Sequence, residues 1–144
     1  AHSSAIINID GGAIYKNTAA SDGGGINAYS STTIKTDGGA IYQNTATAGT
    51  GGGIYAHYYT TMTITGGDIY SNKAATYGGG MHVSDHSTLT FNGGDIRNNT
   101  ATRNGGGGIT VSWLSNATVG TSDDGKKIGK IMNNTAAMGG GLYV

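Results

Sequence analysis

The stretch GGAIYKNTAASDGGGI, residues 11–26, decides how this chain is read, because the same pattern returns four more times. It recurs as GGAIYQNTATAGTGGGI at 38–54, GGDIYSNKAATYGGGM at 66–81, GGDIRNNTATRNGGGGI at 93–109 and IGKIMNNTAAMGGGL at 128–142. Copies beginning at 11, 38, 66, 93 and 128 stand 27, 28, 27 and 35 residues apart. The ten residues before Gly11 complete the period that the last copy leaves open, so the 144 residues hold five periods. The final GGGLYV leads into the initial AHSSAIINID much as GGGIYAHYYTTMTITGG reads internally. The sequence therefore reads either as one unit cut from a longer array or as separate chains that continue the repeat head to tail.

Each period carries three short alternating segments. In the third they are TMTIT at 61–65, GDIYS at 67–71 and GGMHV at 79–83, separated by Gly, Asn and small polar residues. Period-2 patterning bounded by turn residues marks strands, and a strand with one apolar face must stack on a neighbouring repeat to bury it. Three strands in about 27 residues predict an all-β, right-handed parallel β-helix of five coils, right-handed crossovers being the strong default for parallel strands. At one strand spacing per coil the rod would be about 24 Å long. Residues 1–144 form a single solenoid domain, with a longer loop insertion at about 112–127 in the fourth period.

The inward columns follow from the alternation. Ile14, Ile41, Ile69, Ile96 and Ile131 form one, and Ile26, Ile54, Met81, Ile109 and Leu142 another. Ala28, Ala56, Val83, Val111 and Val144 lie two residues further on, and Ile7, Ile9, Ile34, Met62, Ile64, Leu89, Phe91 and Val119 come from the third strand. Three residues after the first column every period has Asn: Asn17, Asn44, Asn72, Asn99 and Asn134. Asn tolerates left-handed backbone and bonds to nearby main chain, and stacked copies bond to one another as a ladder. The glycine pairs and triplets mark bends or close backbone approach. No helix follows them, so they are not phosphate-binding loops.

Composition narrows the function classes. Twenty-eight glycines without a Gly-X-Y period exclude collagen, and apolar residues at fixed columns exclude low-complexity disorder. Eight Lys+Arg against eight Asp+Glu leave no basic footprint for nucleic acid. No apolar run in the sequence approaches the roughly 20 residues that span a bilayer, so this segment is not expected to insert in a membrane. The absence of cysteine removes disulfides and thiolate chemistry.

At these residues the chain resembles the paired GGA[ILV] and FxxN motifs of the polymorphic outer-membrane protein repeats and related adhesin-like β-helix repeats. GGAI stands at 11–14 and 38–41, and Ile14, Ile41, Ile69, Ile96 and Ile131 take the place of the family's Phe. The resemblance covers all five periods and implies a secreted, surface-displayed right-handed β-helix used in adhesion, usually followed by a membrane-inserted barrel.

Outward positions carry the candidate contacts. The column after the core Ile reads Tyr15, Tyr42, Tyr70, Arg97 and Met132, an aromatic stripe that can stack within the sheet, on sugar rings or on a neighbouring filament. Tyr55, His57, Tyr58 and Tyr59 make a second aromatic cluster at a corner, and Trp113, Leu114 and the Asp123 to Lys127 charges in the insertion are candidates for lateral contact. Asp68 and Asp95, in adjacent coils beside Arg97, Tyr70 and Lys130, are the one carboxylate pair that glycosidic acid/base chemistry could use, but the other copies have Ala13 and Ala40 there. Catalysis is not expected. His2, His57, His82 and His86 have no ligand-like spacing, Asp10, Asp37, Asp123 and Asp124 fit no calcium motif, and no cofactor is implied. Sequons at Asn98, Asn116 and Asn133 offer glycosylation sites.

The ends give the leading expectation. Solenoids that stay monomeric normally carry polar caps, whereas here Ile7 and Ile9 enter the core at one end and Leu142, Tyr143 and Val144 close it at the other. The sequence thus predicts a structural protein, extracellular or at the cell surface, whose units stack head to tail into a filament. The alternative is a stalk or adhesion fragment of a larger cell-surface adhesin with glycans or a host surface as partner, and behind both stands a polysaccharide-binding or polysaccharide-degrading β-helix.

Overall fold

The computed structural model of the chain describes residues 4–120 and 129–144, and it is a parallel β-solenoid of about four turns. Every strand pairing is parallel and joins equivalent positions of successive repeats, as in Met81↔Ile54 and Met81↔Ile109. The strands line three walls. A five-stranded wall holds Ile26–Ala28, Ile54–Ala56, Met81–Val83, Ile109–Val111 and Leu142–Tyr143. A four-stranded wall is made of Thr18–Ala19, Thr45–Ala46, Lys73–Ala74 and Thr100–Ala101, and an eight-stranded wall carries the rest.

In the second and third coils two expected strands are one bent strand, Thr33–Tyr42 and Thr61–Tyr70. The bend falls at the glycine pairs, where the register between the two strands shifts around Asp37. Gly39 and Gly67 lie at φ +74° and +86°, which an L-residue reaches only with strain. Hydroxyls hold the bend across coils: Thr36 Oγ1 donates to the Gly66 carbonyl at 3.0 Å and Thr65 Oγ1 to Asp37 Oδ1 at 2.9 Å. Pairing continues through the bend, so one ten-residue strand replaces two separate ones.

The core is the set of inward columns. Ile34, Ile54, Met62, Met81, Leu89 and Ile109 are completely buried, each worth about 1.5–3 kcal/mol of hydrophobic stabilisation. Burial falls off along the axis: Ile7, Ile14 and Ile131 are half-buried, while Val119, Leu142 and Val144, in the same columns, are exposed. Among the described residues the apolar interior is thus closed off in the middle coils and more exposed towards both ends. The part of the expected insertion that is described is regular: Asn116–Val119 pairs with Thr88–Phe91 residue for residue. Trp113 and Leu114 therefore belong to the ordinary repeat and not to an added loop. Residues 121–127, with the Asp123 to Lys127 charges, lie outside the described residues.

Candidate functional site

The Asn column forms a continuous ladder with one direction. Asn17 donates its backbone N–H and its Nδ2 to Asn44 Oδ1 at 3.0 and 2.9 Å, and the same pair of bonds links Asn44 to Asn72, Asn72 to Asn99 and Asn99 to Asn134, all at 2.9–3.1 Å. The second Nδ2 hydrogen of each later Asn goes back to the carbonyl of Ile14, Ile41, Ile69 or Ile96 at 2.9 Å. Asn44, Asn72 and Asn99 are buried with every amide group used, as a buried polar group must be. The left-handed residue of this turn is the one before the Asn, not the Asn itself. Lys16, Gln43, Ser71, Asn98 and Asn133 have φ of 53–56°, which leaves each ladder Asn free to point inward.

In the first four coils the last glycine of each run, Gly25, Gly53, Gly80 and Gly108, lies against the ladder. A Cβ on Gly53 would sit 2.5 Å from the Gly80 carbonyl and 3.0 Å from Asn72 Nδ2, so the backbone of this wall approaches the next coil too closely for any side chain.

A second corner follows the five-stranded wall, and here two adjacent residues per coil are left-handed: Ser30 and Ser31, Tyr58 and Tyr59, Asp85 and His86, Trp113 and Leu114, all at φ 52–62°. Their main chains are linked along the axis, Ser31 N–H to the Tyr58 carbonyl, Tyr59 to Asp85 and His86 to Trp113, each at 3.0 Å. Behind them a hydroxyl column closes the turn. Thr60 Oγ1 donates to the His57 carbonyl at 2.8 Å, its N–H donates to Ser87 Oγ at 3.0 Å, and the Ser87 N–H donates to Ser115 Oγ at 3.1 Å. Sequence reasoning missed this column although its signal is present: SS-T, YY-T, DH-S and WL-S each place Ser or Thr after the pair, at Thr32, Thr60, Ser87 and Ser115. The corner displays its large side chains to solvent. Tyr58, Tyr59, Trp113 and Leu114 are 54%, 62%, 76% and 81% exposed, and Tyr59 stacks on His86 with ring centroids 5.1 Å apart.

Beside this corner the outer face of the five-stranded wall holds a buried histidine. His82, 6% exposed, bonds through Nε2 to Ser112 Oγ at 2.8 Å and through Nδ1 to Thr50 Oγ1. Because the Thr50 hydroxyl donates to the Tyr77 carbonyl, Nδ1 carries the proton and Nε2 accepts from Ser112. Burial pushes the His82 pKa down to about 4, against the opposing pull of Asp85 and Asp22. Burial lowers His57 in the same sense and raises the Tyr55 phenol. Tyr55 stacks on His57 at 4.1 Å and on His82 at 5.2 Å. A trough of about 440 Å³ adjoins the site, walled by Tyr77, His82, Ser112, Trp113, Tyr143 and Val144. The sequence placed the four histidines on no common face, yet His57 and His82 both stack on Tyr55, because the adjacent strands pair His82 with Tyr55 in register.

The remaining candidates divide. Tyr15, Tyr42 and Tyr70 stack on one another at 5.0 and 4.8 Å, and Arg97 caps the stack 4.4 Å from the Tyr70 centroid, so most of their faces are used within the sheet. Burial, followed by the neighbouring Tyr70 and Tyr15 phenols, raises the pKa of Tyr42. Trp113 is on a different corner from this stripe. Asp68 and Asp95 face each other in register, but Asp68 is tied to Arg97 at 3.3 Å and to the Asp95 N–H at 3.2 Å, while Lys130 stands opposite Asp95. The two acids and two bases thus share one wall, and Asp95 Oδ1 is buried without a hydrogen-bond partner among the described residues. Asn98, Asn116 and Asn133 are all exposed. Among the described residues no three metal-ligating side chains come together, and no helix is long and apolar enough to cross a membrane.

Compared with known proteins, residues 1–124 match the model of the family described as right handed beta helix region. No curated protein and no solved structure matches the chain. The match spans most of the sequence and fits the uniformly parallel pairing of the coils.

Proposed function

The chain belongs to the right-handed β-helix family, and we propose that it is a structural, extracellular rod whose terminal coils are continued by further coils of the same repeat, supplied by copies of itself stacked head to tail. The observation that carries this reading is the direction of the Asn ladder. Among the described residues nothing donates to Asn17 Oδ1, and the Asn134 N–H with one Nδ2 hydrogen has no acceptor. One end thus presents an acceptor and the other two donors, in the geometry that every internal coil already uses. The apolar columns agree: at the acceptor end Ile7 is only partly buried above the buried Ile9, and at the donor end Leu142 and Val144 are exposed. A contact of this kind is heterologous and propagates without closing. The rod itself carries out no catalysis, and sugar rings on a cell surface are a secondary partner for the open edge of the Tyr15 stack.

The second reading, a stalk segment of a larger adhesin, satisfies the same ladder ends with coils of one longer chain. Electron microscopy of the 144-residue chain over a range of concentrations separates the two. Stacking gives filaments with an axial repeat of about 24 Å, and a Leu142→Asp, Val144→Asp variant stays dispersed with its β circular dichroism intact. Monodisperse wild-type particles at every concentration would refute stacking and favour the stalk.

A further inference from the structure

We infer that the doubly left-handed corner is a lateral self-association surface, on which two copies of the chain pair side by side, running in the same direction about a two-fold axis parallel to the rod. Two adjacent non-glycine residues with positive φ in each of four coils hold a strained backbone, which Gly, Asn or Asp would adopt more readily. In two of the four coils the corner instead carries Tyr58, Tyr59, Trp113 and Leu114, which are mostly solvent-exposed, and between them Asp85 and His86 supply opposite polar partners. Strain accepted in order to display apolar side chains marks an interaction surface.

The two columns of the corner identify the partner. One reads Ser30, Tyr58, Asp85, Trp113 and the other Ser31, Tyr59, His86, Leu114. A two-fold axis along the rod lays each column against the other column of the second copy, coil by coil. Tyr58 then meets Tyr59, Trp113 meets Leu114, and the Asp85 carboxylate faces the His86 imidazole, one of its oxygens already held by Ser84 at 2.7 Å. An antiparallel pair would lay each column against itself in reversed order, so that Asp85 would never meet His86. Zero formal charge lets like copies approach. The axis is compatible with end-to-end growth, so the lateral contact repeats along two parallel rods and gains strength by multivalency. The surface also stands without such growth, as a weak dimer.

The test uses the end-blocked Leu142→Asp, Val144→Asp chain, so that axial stacking and lateral pairing are read separately. Sedimentation equilibrium is expected to show a concentration-dependent dimer of the 14.4 kDa chain. The emission of Trp113, the one tryptophan, moves to shorter wavelength in step with it. Leu114→Asn suits the left-handed turn and keeps the fold, and it should weaken the dimer by about tenfold or more. Because the chain has no cysteine, Ser31→Cys in the same background reports direction: a parallel pair cross-links through its two copies on oxidation, an antiparallel pair does not. A chain that stays monomeric to millimolar concentration with solvent-like Trp113 emission would overturn the proposal. So would an emission shift without a change in mass, or a dimer without the cross-link.

Discussion

Acidification should destabilise this protein through His82 before most of its carboxylates are protonated. The imidazole has both nitrogens satisfied as the neutral ring, by Thr50 and Ser112, and is almost fully buried. Its folded pKa of about 4 lies below the ordinary 6.5. A depressed histidine pKa means that the unfolded chain binds a proton in this window and the folded chain does not. Stability is therefore constant above pH 6.5, falls as the pH drops towards 4, and levels off below that as far as this group is concerned. The gap corresponds to about 3 kcal/mol, a large share of the total for a domain whose stability is on the order of 10 kcal/mol. Urea unfolding at half-unit steps from pH 7.5 to 3.5, on the wild type and on His82→Gln, isolates the contribution, since the other titrating groups remain in both proteins. The difference between the two curves should shrink by about 3 kcal/mol across the window, with the variant less stable at pH 7 and nearly equal at pH 4. Parallel curves would show that His82 reaches solvent in the folded state and would refute the assignment of a closed polar network.

Two further outcomes follow from the ladder and its packing. Asn72→Leu leaves the Asn44 N–H and Nδ2 without their acceptor and the Ile41 carbonyl without its donor, in a buried site. It should cost about 3 kcal/mol or more, at roughly 1–3 kcal/mol for each of the orphaned groups, seen as a fall in urea midpoint with an unchanged m-value. Gly53→Ala drives a methyl against the Gly80 carbonyl 2.5 Å away and should cost about 2 kcal/mol or more. Gly11→Ala, with nothing within 4 Å of the added methyl, is the control that should be close to neutral by thermal melt.

The sequence made the repeating parts legible because each was written several times. Ile41, Ile69 and Ile96 stand in one column, and their burial follows from alternation alone. The Asn ladder was readable for the same reason, but which residue takes the left-handed turn was not. Lys16, Gln43, Ser71, Asn98 and Asn133 share polarity but no residue type, and only the backbone geometry singles them out. The corner at Tyr58 and Tyr59 was hidden in a related way, since Tyr, Trp and Leu are poor predictors of positive φ. The constant Ser or Thr that follows was the usable sign. The His82 network lay beyond sequence reading because Thr50, Tyr77 and Ser112 come from three different coils and meet only where loops fold back over the wall. The apparent insertion near 112–127 came from counting residues between motifs, which cannot tell where in a period the extra length sits.

The ladder also sets how such a chain can change. Successive ladder residues are separated by 27, 28, 27 and 35 positions, yet the amide contacts stay at 2.9–3.1 Å throughout. Register is counted by a side chain meeting its own kind, not by distance along the polymer. Length can therefore be added between two rungs without being felt one coil away. A whole coil can be duplicated or deleted and the two cut faces will still recognise each other. A deletion that removes the Asn but leaves its coil breaks the count at that level and splits the rod into two shorter ones.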